Sequence, residues 1–158
     1  MIRAEPLDKP LTPSKERLRL WLRFLKTTRT IEATLRENLR REFATTLPRF
    51  DVMAALSRYD EGLKMSQLSG VLRVSNGNVT GIVDRLADDG LLVRVPVPGD
   101  RRASLVRLTK RGTQEFARQA AAHEAWINEM LGEFPAEEAH HIAARLEQLG
   151  TSLDEEIK

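Results

Sequence analysis

The chain of 158 residues contains no cysteine. That excludes disulfides, thiolate zinc sites, a cysteine nucleophile and thiol-based redox sensing. Aromatic residues are scarce, at 5%, against 30% charged residues, a balance that suits a helix-rich chain with many solvated faces. No apolar run approaches membrane-spanning length, and the N-terminus lacks the apolar segment of a signal peptide. The expectation is a cytoplasmic protein with no membrane partner, in which the tripeptide Asn78-Val79-Thr80 matches a glycosylation sequon by coincidence. Catalytic patterns are also missing: there is no nucleophile elbow, phosphate-binding loop or paired catalytic carboxylates. No catalytic residues, cofactor or enzyme activity are therefore expected. Of the three histidines, His123 falls on an apolar stripe and reads as a packed residue. His140 and His141 are adjacent and point about 100° apart on a helix. With no cysteine and no carboxylate at ligand spacing, no metal site is expected.

What is present is an uneven charge distribution. The net charge is only +2. Between Lys64 and Gly112, however, nine basic residues face four acidic ones, whereas the rest of the chain has sixteen basic and nineteen acidic. A basic middle between acidic-leaning ends fits a polyanion-binding module carried on a separate scaffold.

Hydrophobic periodicity supplies the scaffold. Residues 1–13, with Pro6, Pro10 and Pro13, read as an extended arm, and Thr12-Pro13 can open the following helix. From Ser14 to about Thr45 there is no Gly or Pro. Phe24, Leu25, Ile31, Leu35, Leu39 and Phe43 there share one helical face. Leu47-Pro48 opens a second helix to about Tyr59, with Phe50, Met53, Ala54 and Leu56 as core contacts. Asp60-Glu61-Gly62 reads as a turn. A third helix follows from Ser66 to Arg73, and a fourth, capped by Ser75, runs to Asp88 and is stopped by Asp89-Gly90. The period then changes. Residues 91–95 and 104–108 are β-rich runs flanking a long basic tip, 96–102, and Pro96 and Pro98 make this hairpin an edge structure. Thr109 caps a long helix to about Leu131. Pro135 begins a last helix with Ala139, Ile142, Leu146, Leu149 and Leu153 at coiled-coil-like steps. The expected fold is mainly α with a small β-hairpin wing: a winged helix-turn-helix lobe at 47–109, flanked by helical dimerisation segments at 14–46 and 110–158.

On the fourth helix Val79, Ile82, Val83 and Leu86 should face the core. Gly77, Gly81 and Asp84 lie opposite, edged by Asn76, Asn78, Thr80 and Arg85. Two glycines four apart each cost about 1 kcal/mol of helix propensity. They are either tolerated surface glycines or positions where the helix backbone approaches the floor of a DNA major groove. Asn76 and Asn78 offer amides suited to adenine edges. Arg85 and the helix start at Ser75 suit phosphates, and Ser66 on the preceding helix completes this set. In the hairpin, Gly99 permits a turn, Asp100 can orient an arginine, and Arg101 or Arg102 can enter a narrow minor groove.

Taken in order, Val74-Ser75, Val79-Thr80, Val83-Asp84-Arg85-Leu86, Gly90-Leu91, Arg94, Asp100-Arg101-Arg102 and Leu108-Thr109-Lys110-Arg111-Gly112 resemble the signature of MarR-type transcription regulators. The resemblance implies a homodimer built from the N- and C-terminal helices that reads double-stranded DNA at a pseudo-palindromic operator. The fourth helix would enter the major groove and the wing the minor groove. It also implies that Asp84 positions the wing by pairing with Arg102 or Arg101. A small anionic or aromatic effector is implied between the dimerisation helices and the lobe, with Arg17, Trp21 and Thr28 as candidate contacts. Lack of cysteine removes the peroxide-sensing branch of the family as a template. The implied function is a sequence-specific regulator, read as a repressor released by its effector. A nonspecific DNA-binding or protein-interaction module without ligand response stands as the alternative.

Overall fold

The computed structural model describes residues 10–72 and 76–157, with the side chains of residues 76 and 77 left undescribed. Among these residues the chain forms helices α1 (Pro13–Phe43), α2 (Leu47–Leu56), α3 (Met65–Leu72), α4 (Asn76–Asp88), α5 (Lys110–Met130) and α6 (Ala136–Ile157), with strands β1 (Leu63–Lys64), β2 (Leu92–Val97) and β3 (Asp100–Leu108). The expected mainly helical architecture with a β wing is what the chain adopts. The chain divides into two compact units, with the boundary in sequence between Ala120 and Ala121.

Local chemistry sets the helix ends. Pro13 occupies the first turn of α1, where its missing N–H is no loss. The Thr46 hydroxyl accepts from the Arg49 N–H to cap α2. At the end of α4, the Leu91 N–H donates to the Leu86 carbonyl at 2.9 Å and the Gly90 N–H to that of Ala87 at 3.0 Å. With Gly90 at φ +77°, this is a Schellman ending, the stop that Asp89-Gly90 forecast. The Thr109 hydroxyl accepts from the Gly112 N–H at 2.9 Å, which caps α5.

Apolar faces gather into one core in the first unit. Val52, Met53, Leu56, Leu68, Val79, Val83, Leu86, Leu92 and Val106 are buried together, with Phe116 of α5 packed against them. Val79, Val83 and Leu86 are fully buried and Ile82 half-buried, so α4 presents its expected face to the core. On α1 only Leu35 and Leu39 are buried, while Leu18, Leu20, Trp21 and Leu22 are exposed. In the second unit α6 buries none of its residues.

The turn expected at Asp60-Glu61-Gly62 is present, with Gly62 at φ +96°. A short strand that the sequence did not announce, β1, follows it and pairs Leu63 with Val106, giving a three-stranded sheet ordered β1-β3-β2. Two residues are too few to show a period. One expectation needs correction: the hairpin has no long tip. Leu92 pairs with Leu108, Arg94 with Val106 and Pro96 with Ser104, after which the register jumps to Val97 opposite Asp100. The turn itself is Pro98-Gly99, with Gly99 at φ +82°, the proline-then-glycine pattern of a type II turn. Arg101, Arg102 and Ala103 therefore oppose no residue of β2 and form a bulge. The break in register comes directly after Pro96, a residue that an edge strand such as β2 tolerates.

Candidate nucleic-acid interface

The helix-turn-helix pair comprises α3 and α4, both held by the core just described. On α4 the buried side fixes the orientation of the helix, so the opposite side is committed to solvent. Asn78, Thr80, Gly81, Asp84 and Arg85 are all exposed. A Cβ added at Gly81 would meet nothing within 4 Å. Ser66 is exposed in the first turn of α3. Ser75 lies outside the described residues, as do the side chains of Asn76 and Gly77. Asn78 stands at the edge nearest α2, where it shares a small recess with Pro48, Asp51 and Ile82.

The wing carries the second element. Arg101 and Arg102 are exposed in the bulge of β3. The Asp100 carboxylate accepts from the backbone N–H of Arg102 at 3.0 Å, an Asx-type contact that shapes the bulge. Asp100 thus orients the arginine segment through the backbone rather than through a guanidinium.

The pairing expected for Asp84 is different in the structure. Its carboxylate binds the Arg94 guanidinium of β2 at 2.5 Å. Arg94 lies near the foot of the hairpin, opposite Val106. Arg101 lies at the far end, beyond Val97, about 10 Å further along at 3.3 Å per residue. Geometry favours the nearer arginine, so Asp84 ties α4 to the foot of the wing and leaves both tip arginines for other contacts. Both side chains are substantially exposed, so the pair adds little to stability. A double-mutant cycle between Asp84→Ala and Arg94→Ala should give a coupling of about 0.5 kcal/mol. The matching cycle with Arg102→Ala should give none, and denaturant titration of the four proteins in each cycle reads both.

A third feature was legible only as part of the family-like signature. The Thr109 hydroxyl donates to the Gly90 carbonyl at 2.7 Å, and the Arg111 guanidinium to the Asp89 carbonyl at 3.1 Å. Arg49 of α2 pairs with the Asp89 carboxylate. A Cβ at Gly112 would fall 1.9 Å from the Leu91 carbonyl oxygen, so only glycine lets α5 start this close to the end of α4. Thr109, Arg111 and Gly112 together rivet the first turn of α5 onto the end of α4.

The expected effector contacts on α1 stay apart from any enclosed site in the single chain. Arg17, Trp21 and Thr28 are exposed. The recess along that helix is lined instead by Leu11, Lys15, Leu18, Arg19, Leu22, Arg23 and Lys26. Among the described residues no group of three metal-ligating side chains occurs, and no helix is long and apolar enough to cross a membrane.

A core-anchored helix with a polar outer face, flanked by a sheet whose outer hairpin carries exposed arginines, defines a winged helix-turn-helix protein. The MarR family profile matches residues 45–103. The crystal structure of a MarR family transcriptional regulator from Silicibacter pomeroyi is 32% identical, with 91% of this chain and 99% of that one covered at a TM-score of 0.75. The chain belongs to the MarR family, whose members are transcription regulators rather than enzymes. Among curated relatives, the regulator PecS of Dickeya dadantii is 33% identical over 99 residues, which is 61% of this chain and 60% of PecS. The transcriptional activatory protein BadR of Rhodopseudomonas palustris is 34% identical over 99 residues, 61% of this chain and 57% of BadR. The match thus spans about 60% of the length of these curated relatives.

Proposed function

We propose that the chain is a sequence-specific DNA-binding repressor that works as a homodimer and is released by a small anionic or aromatic effector. The observation that carries this reading is the two-sidedness of α4. Val79, Val83 and Leu86 are fully buried on one side, while Asn78, Thr80, Gly81 and Arg85 are exposed on the other, next to a wing bearing Arg101 and Arg102. Such a helix can enter a major groove, with Asn76 and Asn78 at base edges and Ser66, Ser75 and Arg85 at phosphates. Gly77 and Gly81 keep the approaching surface flat. The wing arginines suit the adjacent minor groove, where A·T-rich DNA narrows and its potential becomes more negative.

Two features support a dimer. The first half of α1 carries Lys15, Arg17, Arg19, Arg23, Lys26 and Arg29 against Glu16 alone, alongside exposed Leu18, Trp21 and Leu22. On α6, Glu137, Glu138, Glu147, Asp154, Glu155 and Glu156 stand against Arg145, alongside exposed Ile142, Leu146, Leu149 and Leu153. Apolar stripes with flanks of opposite sign are what a second copy of the chain can cover. Segments 14–46 and 110–158 are accordingly assigned to dimerisation. Arg17, Trp21 and Thr28, on one stripe of α1, are the proposed effector contacts from that helix.

The test is a gel-shift titration against the protein's own upstream region and a scrambled duplex of equal composition, at several salt concentrations. The expected result is preference for a pseudo-palindrome whose half-sites lie about 10 bp apart. Equal affinity for both duplexes at every salt concentration sinks the sequence-specific reading and leaves the nonspecific DNA binder. No binding to either leaves the protein-interaction module.

A further inference from the structure

We propose that Ser104, the residue directly after the wing bulge, is a phosphorylation site for an arginine-directed serine/threonine kinase, and that its phosphate lowers DNA affinity by drawing Arg94 away from Asp84.

Two runs of the sequence place a hydroxyl after two basic residues and one spacer, Arg101-Arg102-Ala103-Ser104 and Lys110-Arg111-Gly112-Thr113. A kinase that selects its substrate by those cations takes the segment in extended form, so that each cation and the hydroxyl reach separate sites. The structure separates the two runs. Thr113 is exposed, but it belongs to the first turns of α5, where its N–H donates to the Thr109 carbonyl at 2.9 Å. Arg111 is engaged there on the Asp89 carbonyl. The other run lies in extended β3. Arg101 and Arg102 are exposed, Ser104 is half-buried, and residues 101–103 oppose nothing on β2. Ser104 is the first residue past the bulge to regain a partner, Pro96. Opening that one pair presents the whole run.

The step is a phosphoryl transfer from a nucleoside triphosphate. The Ser104 Oγ–phosphorus bond forms as the bond from the γ-phosphorus to its bridging oxygen breaks. The nucleoside diphosphate leaves, and the hydroxyl proton passes to the kinase base.

The register fixes what the new group meets. Arg94 stands opposite Val106 and Pro96 opposite Ser104, so Arg94 and Ser104 share one face of the sheet as diagonal neighbours. Such neighbours lie about 7–8 Å apart, within reach of a long side chain. Arg94 is held by the single charge of Asp84. A phosphoserine carries about −1.5 to −2 and three acceptor oxygens, and it takes a guanidinium in two-pronged fashion. It is therefore the stronger partner, and it unties α4 from the foot of the wing. The charged side chains of the hairpin, Leu92–Leu108, are Arg94, Arg101, Arg102 and Arg107 against Asp100. One phosphate cancels at least about half of that positive excess and adds a group that the DNA backbone repels. The regulatory meaning of the site rests on the wing being a DNA-reading element.

The full chain incubated with magnesium ATP and the catalytic subunit of cyclic-AMP-dependent kinase tests this. Peptide mapping by mass spectrometry should find phosphate on Ser104 and none on Thr113. Replacing Arg101 and Arg102 together by alanine should slow the transfer at least about ten-fold. In phosphorus NMR the second ionisation of the phosphoserine should fall below that of a free phosphoserine peptide, and return towards it in Arg94→Ala. In a gel shift the phosphorylated chain should bind the operator at least about ten-fold more weakly than the unmodified chain. Ser104→Glu should move affinity the same way, and Ser104→Ala should leave it unchanged. No transfer to Ser104, preference for Thr113, an undisturbed ionisation, or full operator affinity after modification each overturns the proposal. Mapping and NMR contain no DNA, and failure of the operator reading shows in the unmodified chain, so the two failures are distinct.

Discussion

Gly112→Ala is expected to destabilise the protein by about 3 kcal/mol or more, with Tm falling by roughly 10 °C. The added methyl has no room, since it would sit 1.9 Å from the Leu91 carbonyl oxygen, 2.9 Å from the Leu91 carbonyl carbon and 3.3 Å from Leu108 Cδ2. The first two are backbone atoms, so no rotamer change relieves them. Leu91 is itself fixed, because its carbonyl accepts from the Thr109 N–H at 3.1 Å and its N–H donates to Leu86. Relief therefore requires α5 to back away from the end of α4, which breaks the Thr109 and Arg111 hydrogen bonds as well. Gly81→Ala is the informative comparison. That position is open, so alanine there should add roughly 0.5–1 kcal/mol through helix propensity. Urea denaturation of the two variants beside the native chain reads both signs in one experiment. A Gly112→Ala protein as stable as the native one would show that α5 does not begin against α4 as described.

The second large effect concerns DNA. Arg101→Ala combined with Arg102→Ala should weaken operator binding by about 100-fold, on the basis of 1–3 kcal/mol for each lost groove contact. If one arginine binds a phosphate instead, the salt dependence should also flatten by about one charge. Both side chains are exposed, and the pairing of Asp84 with Arg94 leaves them outside any guanidinium–carboxylate pair with α4. Stability should stay within about 0.5 kcal/mol of native, and sedimentation should show an unchanged dimer. Loss of the dimer would contradict the assignment of these residues to a wing. Retained affinity would place DNA recognition wholly on α4.

Much of the architecture was legible because it follows from period and punctuation. Val79, Val83 and Leu86 recur at helical spacing, and they are the buried face of α4. Thr12-Pro13, Asp89-Gly90 and Thr109 mark helix ends where they were expected. Features that depend on partners distant in sequence were not legible. Strand β1 exists because Leu63 meets Val106, 43 positions later, and no two-residue segment announces such a partner. The Asp84–Arg94 pair could be assigned only as an acid near a wing, since four arginines in the hairpin were chemically equivalent until the register separated them. At the candidate interface, the exposed face of α4 could be read from the position of its buried one. The bulge could not, because it depends on where the register between β2 and β3 shifts, after the Pro96–Ser104 pair.

That bulge separates the reach of the wing from its anchoring. Register is fixed at the foot by Leu92 with Leu108 and Arg94 with Val106, and the three residues 101–103 are already outside the ladder. An insertion or deletion between Pro98 and Ala103 therefore changes how far the arginines extend without turning any residue of the foot from the core face to the solvent face. Related chains can thus diverge in wing length, and so in the width and spacing of groove they suit, while inheriting an unaltered core. The hairpin behaves as an extensible arm on a fixed shoulder, and target preference can drift there at little cost to folding.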